Sequence, residues 1–288
     1  SLDRLAERGK EYRARHPAAF LDRAGALTGS TLFSIIYTSG STGVPKGVEL
    51  THGNLISQFQ GAAERIPIDA TSDVVLSVLP LAHIFERMVV HYHLTRGVSV
   101  YFADDVQNAG ALMREVHPTV VTLVPRLLEK VHARMRLGVE EKRGFAKHLA
   151  EAAFKRAMEF PPGTAGRGPV GRLLGALVYR KFLAALGGRL RLVVSGGAKM
   201  PPTIGAFFAN IGLPLYEGYG MTECSPVVAV NTPTGCRLGS VGLLFCRIIQ
   251  AALARERENL ADANSVRFTR NADALCGALA RIQVNAEG

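Results

Sequence analysis

Between Tyr37 and Gly47 the chain reads Y-T-S-G-S-T-G-V-P-K-G, which sets the hydroxyls of Thr38, Ser39, Ser41 and Thr42 around Gly40 and Gly43 and ends on Lys46. Glycines let the backbone turn its amides toward an anion, the hydroxyls add donors, and the lysine brings a mobile positive charge. Polyphosphate is the ligand that would use all three. A structural turn needs glycines, but neither four hydroxyls nor a lysine. The spacing departs from the G-x-x-x-x-G-K-S/T nucleotide loop, because Lys46 is followed by Gly47 and a strand-like V-E-L rather than by a helix.

The elements that must position this loop alternate in type. T-L-F-S-I-I-Y (31–37), D-V-V-L-S-V-L-P (73–80), V-S-V-Y-F (98–102), T-V-V-T-L-V-P (119–125) and L-R-L-V-V-S-G (190–196) read as strands. Segments 54–65, 105–116, 126–137, 140–159 and 170–187 carry apolar residues at helical spacing. The alternation predicts an α/β fold with largely parallel sheets flanked by helices. The polyphosphate loop is then expected at the carboxyl end of a strand, where open α/β sheets bind ligands. P-P-G-T-A-G-R-G-P (161–169) is expected as a loop between two basic helices.

With 288 residues, 48% of them hydrophobic, the chain can bury a substantial core. Its net charge of +10 is concentrated: fifteen Lys or Arg face five Glu between Arg126 and Arg191, an excess equal to the whole. That stretch suits a solvated helical face or a surface for phosphorylated ligands or anionic membrane; nucleic acid is disfavoured because aromatics are sparse among the basic residues and no binding motif appears. No window offers the roughly 18 apolar residues of a membrane span, and the amino end lacks a secretory apolar core, so the expectation is a cytoplasmic protein, peripheral to membrane at most. Cys224, Cys236, Cys246 and Cys276 have neither zinc-site spacing nor the density of a disulfide scaffold, and are read as reduced thiols. A start at Ser1 suggests a processed or interior piece of a longer chain.

The loop motif resembles the phosphate-loop signature of the adenylate-forming enzymes. Three further blocks follow in that family's order: L-P-L-A-H-I-F-E-R (79–87) and V-P-R-L-L-E-K-V (124–131), which resemble long-chain fatty acyl-CoA synthetases, and S-G-G-A-K-M-P-P (195–202) with Y-E-G-Y-G-M-T-E (216–223), which resembles the nucleotide-pocket segment. The likeness runs from about the first residue to Gly242. It implies part of the large N-terminal domain of an acetyl-CoA synthetase-like fold. It also implies a reaction in which a fatty carboxylate attacks ATP to give acyl-AMP, followed by displacement of AMP by the thiol of coenzyme A. Fatty acid, ATP, Mg²⁺ and coenzyme A are the ligands this implies.

Residue by residue, the resemblance assigns Thr38, Ser39, Gly40, Ser41, Thr42, Gly43 and Lys46 to the β- and γ-phosphates. Gly196, Gly197 and Ala198 go to the nucleotide or acyl pocket, since a ring lying against the backbone leaves no room for larger side chains; a strand-to-helix turn would need one glycine but not two. Glu217, Gly218, Tyr219, Gly220 and Thr222 fall in the nucleotide segment, with Tyr219 against adenine and Thr222 against the α-phosphate. Glu223 is assigned to magnesium, which requires an anionic oxygen. His83 goes to the carboxylate end of the acyl pocket on the strength of its block alone, because an isolated histidine in an apolar stretch is more often structural. His91 and His93 lack such support and are read as structural.

Residues 243–288 match none of the family's later elements, namely the ribose-gripping aspartate, the hinge arginine and the lid lysine; Asp262 and Asp273 are not promoted to the ribose role. The expectation is therefore a partial AMP-binding domain over 1–242 with an atypical tail over 243–288, for which a reading-frame change is preferred to a divergent ending or an artificial junction. A chain of this form should bind ATP weakly and be slow or dead in adenylate formation. Two alternatives stay open: a ligase for an aryl or amino acid, and a non-catalytic nucleotide-binding remnant. Acyl chain length and oligomeric state are not specified by the sequence.

Overall fold

The computed structural model describes residues 1–38, 45–232, 235–236 and 238–240. The chain divides into two compact units, Ser1–Ser57 and the part from Gln58 onward.

The first unit opens with helix α1 (Leu2–Arg15), capped by the Ser1 hydroxyl, which accepts from the Arg4 amide at 3.4 Å, and a short α2 (Ala19–Gly25). Strands β1 (Leu32–Thr38) and β2 (Lys46–Thr51) then pair antiparallel in a sheet of their own. Strand β1 ends where the polyphosphate loop begins, as expected, but it belongs to this antiparallel pair rather than to an open, largely parallel sheet. Apolar character marks 31–37 as a strand but does not say what it pairs with, and a strand-like segment so close behind favours a hairpin. Thr38 and Lys46 lie opposite each other as the last pair of the ladder. Helix α3 (His52–Arg65) starts on a reciprocal cap: the Thr51 amide donates to Asn54 Oδ1 at 2.8 Å, and the Asn54 amide donates back to Thr51 Oγ1 at 3.3 Å. The last turns of α3, from Gln58, belong to the second unit.

That unit is built on a sheet formed by β3 (Val74–Ser77), β4 (Ser99–Phe102), β5 (Val120–Leu123), β6 (Leu192–Ser195), β7 (Leu215–Gly220) and β8 (Val227–Val230), in the order β4-β3-β5-β6-β7-β8. All pairings are parallel except β7 with β8. The helices are α4 (Ile84–Thr95), α5 (Ala109–Val116), α6 (Pro125–Glu140), α7 (Gly144–Glu159), α8 (Gly168–Leu174), α9 (Arg180–Ala184), reached through a π-turn at Gly175–Tyr179, and α10 (Pro202–Asn210). The strand order reverses at β3, which has β4 on one side and β5 on the other, and such a reversal opens a crevice at the carboxyl ends of the strands.

Side chains alternate across this sheet, as the period of two demands. Leu76, Val121, Leu123 and Val193 join the main core with Phe207 and Phe208 of α10 and the alanines 150, 153 and 157 of α7. Val75, Val120, Leu192, Val194 and Val230 face the other way and pack with Ile66 and Phe85. Loop 161–167 is fixed by buried Asn210: its Oδ1 accepts from the amides of Thr164 and Ala165 at 3.0 and 3.1 Å, and its Nδ2 donates to the carbonyls of Ala157 and Phe160 at 2.9 and 2.8 Å. The start of β3 is tied to β5 and β6 by buried Asp73, which accepts from the Thr119 hydroxyl at 2.8 Å and takes both Nε and Nη2 of Arg191.

Five of the helical segments and four of the parallel strands lie where the sequence places them, within a few residues. Strands β7 and β8 are additions. L-Y-E-G-Y-G carries two glycines and no β-branched residue, so propensity alone does not mark it.

Candidate functional site

A cavity of about 550 Å³ opens on the second face of the sheet. Segments that leave the carboxyl ends of four strands shape one end of it: Leu79, Pro80 and His83 after β3, Val124 and Leu127 after β5, Gly196 and Gly197 after β6, and Met221 and Thr222 after β7. Val120, Leu192, Val194 and Val230 form the sheet wall, and Ile84, Met88, Val89 and Tyr92 of α4 form the opposite wall with Ala62 and Ile66. The lining is mostly apolar, with Gln58, Glu86, His93 and Thr122 among its polar members. Because α4 runs back toward the amino ends of the strands, with the Val98 amide donating to the His93 carbonyl at 3.1 Å, the cavity follows the helix from His83 toward His93. At 1.5 Å per residue that path is about 15 Å long.

Seven of the residues singled out by sequence line this cavity: His83, Gly196, Gly197, Gly218, Tyr219, Gly220 and Thr222. His83 is exposed at the N-cap of α4, and Tyr219 is 44% exposed. Thr222 and Glu223 sit on a single 3₁₀ turn, Thr222–Cys224, with the Glu223 carboxylate in solvent next to the cavity-lining threonine. Among the described residues no three carboxylates, histidines or cysteines gather into a metal cage. A lone exposed carboxylate fits a hard cation that takes its other oxygens from phosphates and water.

Ala198 and Glu217 are placed differently. Ala198 is exposed beyond the turn and does not line the cavity. Glu217 is buried on β7, and its Oε1 accepts from the Gly239 amide at 2.8 Å, so that carboxylate holds the chain after β8. Thr38 and Lys46 belong to the first unit, where Lys46 is exposed; Ser39, Gly40, Ser41, Thr42 and Gly43 lie outside the described residues, as do Cys246, Cys276 and the 243–288 tail.

Three polar residues of the cavity escaped sequence reasoning. Gln58, 1% exposed, donates through Nε2 to the carbonyls of Cys224 at 3.0 Å and Val227 at 3.3 Å and accepts the Val227 amide at 3.3 Å, which clamps the turn bearing Thr222 and Glu223. Glu86, fully buried on α4, takes the Thr122 hydroxyl on Oε2, while Oε1 has no hydrogen-bond partner. Burial pushes its carboxyl above the ordinary value, more than the neighbouring hydroxyls of Ser77 and Thr122 pull it down. His93, expected to be structural, donates Nδ1–H to the Val89 carbonyl at 2.7 Å, yet its ring also lines the cavity and its Nε2 is unpartnered. Burial lowers its pKa and favours the neutral imidazole. Glu86 lay unnoticed inside a block read for its histidine, and a period of seven with His93 was the available signal.

A parallel α/β sheet with a ligand cavity at its strand reversal, bordered by glycine-rich turns, is the frame of a nucleotide-using enzyme domain. Residues 3–261 match the family described as AMP-binding enzyme, and the chain belongs to that family of adenylate-forming enzymes. It is 37% identical over 250 residues to the long-chain-fatty-acid–CoA ligase FadD15 of Mycobacterium bovis, an alignment covering 84% of this chain and 41% of that protein. Over 229 residues it is 34% identical to long-chain-fatty-acid–CoA ligase 6 of Mus musculus, covering 77% of this chain and 32% of the relative. The chain thus spans about two fifths or less of the length of these relatives. Among solved structures, the O-succinylbenzoate coenzyme A synthetase of Bacillus subtilis in complex with ATP and magnesium superposes with a TM-score of 0.52 at 22% identity, over 76% of this chain and 37% of that one, a likeness of fold.

Proposed function

We propose that this chain carries the substrate-binding part of a long-chain fatty acid–CoA ligase, which activates a fatty acid with ATP to acyl-AMP and transfers the acyl group to coenzyme A. The observation that carries this reading is the mostly apolar cavity along α4, which meets Gly196, Gly197, Tyr219 and Thr222 at the carboxyl ends of the strands. A mostly apolar lining of that length suits an alkyl chain, because each buried methylene contributes about 0.8 kcal/mol. An aryl or amino acid substrate would leave most of the channel unfilled, so the fatty acid is the better occupant.

In this reading the protein supplies no nucleophile. The fatty carboxylate, held near His83, attacks the α-phosphorus, and the protein's work is alignment and charge stabilisation. Tyr219 offers an aromatic ring for adenine and Thr222 a hydroxyl for the α-phosphate. Lys46, with its flexible ammonium, is assigned to the departing β- and γ-phosphates, together with Thr38 and the loop hydroxyls. Glu223 would hold Mg²⁺, which when bound neutralises charge on the phosphate oxygens. Gly196 keeps the backbone open where the nucleotide meets the acyl group.

Equilibrium binding of ATP with magnesium, and exchange of labelled pyrophosphate into ATP with lauric or palmitic acid present, test this. We expect magnesium-dependent ATP binding that falls by roughly tenfold or more in both Glu223→Gln and Lys46→Met, the loss expected for a charge-assisted contact. ATP binding indifferent to both substitutions would remove the nucleotide assignment. Exchange supported by aryl acids but not by fatty acids would transfer the chain to the other ligase class, and binding without exchange would support the remnant.

A further inference from the structure

Within a mostly apolar channel, α4 presents two buried polar side chains, Glu86 and His93, each with one polar atom lacking a partner. Seven residues apart on a helix, they project from one face about 10 Å from each other along the axis. A buried polar atom left unpaired costs about 1–3 kcal/mol, so two on one wall of a cavity need a reason that packing does not give.

The reason is clearest at His93. Its Nδ1–H is committed to the Val89 carbonyl at 2.7 Å, which fixes the tautomer and leaves Nε2 as a bare acceptor. The ring stands edge-on to its neighbour Tyr92, at 69° with centroids 5.3 Å apart, and that tyrosine's own hydroxyl is used on the Ile66 carbonyl. An acceptor fixed in this way selects a donor. At the end of the channel remote from His83, around Ile66, Val120 and Leu192, no other ring or hydroxyl of the lining is free to supply one.

We infer that the channel is built for an acyl chain carrying a hydroxyl at or near its far end, which donates to His93 Nε2 while the carboxylate lies toward His83. The inference rests on the channel being the acyl site. An unsubstituted chain of the same length fills the apolar wall equally well but leaves the imidazole acceptor unpaired, and specificity of this kind arises when a site's buried polar group is left without its partner. Glu86, whose Oε2 is taken by Thr122, lies between the two ends and borders the middle of the chain.

The test is displacement of a fluorescent fatty acid from the full chain by lauric acid and by its terminally hydroxylated counterpart, in the wild type, His93→Leu and His93→Gln. The wild type should bind the hydroxylated acid roughly three- to tenfold more tightly, the range one net hydrogen bond supports. His93→Leu should reverse the order, binding plain lauric acid at least as well as before, and His93→Gln, which keeps an acceptor, should retain part of the preference. Equal affinity of the wild type for the two acids, or a preference that survives in His93→Leu, overturns the inference while leaving the acyl site standing. Failure of both acids to displace the probe overturns the acyl reading and the inference with it. The wild-type comparison decides the matter even if a variant does not fold.

Discussion

Gly196 and Gly197 are adjacent and glycine for different reasons. Gly197 has φ of +81°, a backbone state that side-chain-bearing residues rarely adopt, so the turn after β6 requires it with or without a ligand. At Gly196 an added Cβ would meet the Gly218 carbonyl at 3.4 Å and the Phe85 ring at 3.6 Å, ordinary contacts that the fold tolerates. Its smallness is thus left to be explained by what enters the cavity. Gly196→Ala should change stability by no more than about 0.5 kcal/mol, as for a substitution that disturbs no packing, yet weaken ATP binding by roughly tenfold. Urea unfolding and calorimetric titration separate the two; unchanged ATP affinity would return Gly196 to the turn alone. The sequence showed the pair of glycines but not which one the backbone needs, because that depends on a dihedral angle. In the same way it showed Glu217 and Glu223 as two carboxylates in one motif, and only their surroundings, a buried amide partner for the first and solvent for the second, assign them different work.

At the scale of elements, the site depends on the β7–β8 hairpin, and its turn is fixed from outside. An added Cβ at Gly220 would stand 2.2 Å from the Pro226 carbonyl, so the two strands approach too closely for any side chain there. Ser225 is left-handed at φ of +69°, a conformation that costs on the order of 1 kcal/mol outside glycine and needs support. Gln58 gives that support through its three hydrogen bonds to Cys224 and Val227. Gln58→Leu, similar in size, should cost about 1–3 kcal/mol by removing three hydrogen bonds to part-buried backbone groups, and should loosen the turn carrying Thr222 and Glu223 enough to weaken ATP binding as well. Amide exchange at Val227, read by mass spectrometry, should rise in the variant; protection equal to wild type would show that the turn holds itself. Strands β3, β5 and β6 were legible because they are short, β-branched and buried on both faces, whereas β4, at the sheet edge, is largely exposed and reads as a strand from its valine and aromatic residues. What escaped was pairing: β1 reads much like the parallel strands, yet it joins β2, and a glycine-rich β7 joins β6 because tertiary packing outweighs its propensity.

Across the molecule, the buried titratable groups of the second unit pull stability in opposite directions with pH. Asp73 would be raised by burial, but Arg191, the Asp69 amide and the Thr119 hydroxyl outweigh this and hold it below its ordinary 3.8; its contribution is present above that value and is lost as pH falls through the folded pKa. His93 and His132 are both lowered from 6.5, chiefly by burial, so each adds stability above 6.5 that fades as pH drops. Glu86 has the opposite sign. Burial raises it from 4.5, the protonated form is the one the fold favours, and its contribution is complete below 4.5 and declines as pH rises toward the folded value. Glu86→Gln keeps the shape and a hydrogen-bonding group for Thr122 but removes the titration. The stability of Glu86→Gln minus that of wild type should therefore climb as pH is raised from about 4 to about 8, by up to about 1.4 kcal/mol per pH unit until the folded carboxyl ionises, and then level off. Subtracting the two urea-unfolding curves cancels the histidine and Asp73 contributions, which both proteins share. A difference that stays flat across that range would mean that Glu86 titrates alike in the folded and unfolded chains, and that the wall of the channel is wet at that point.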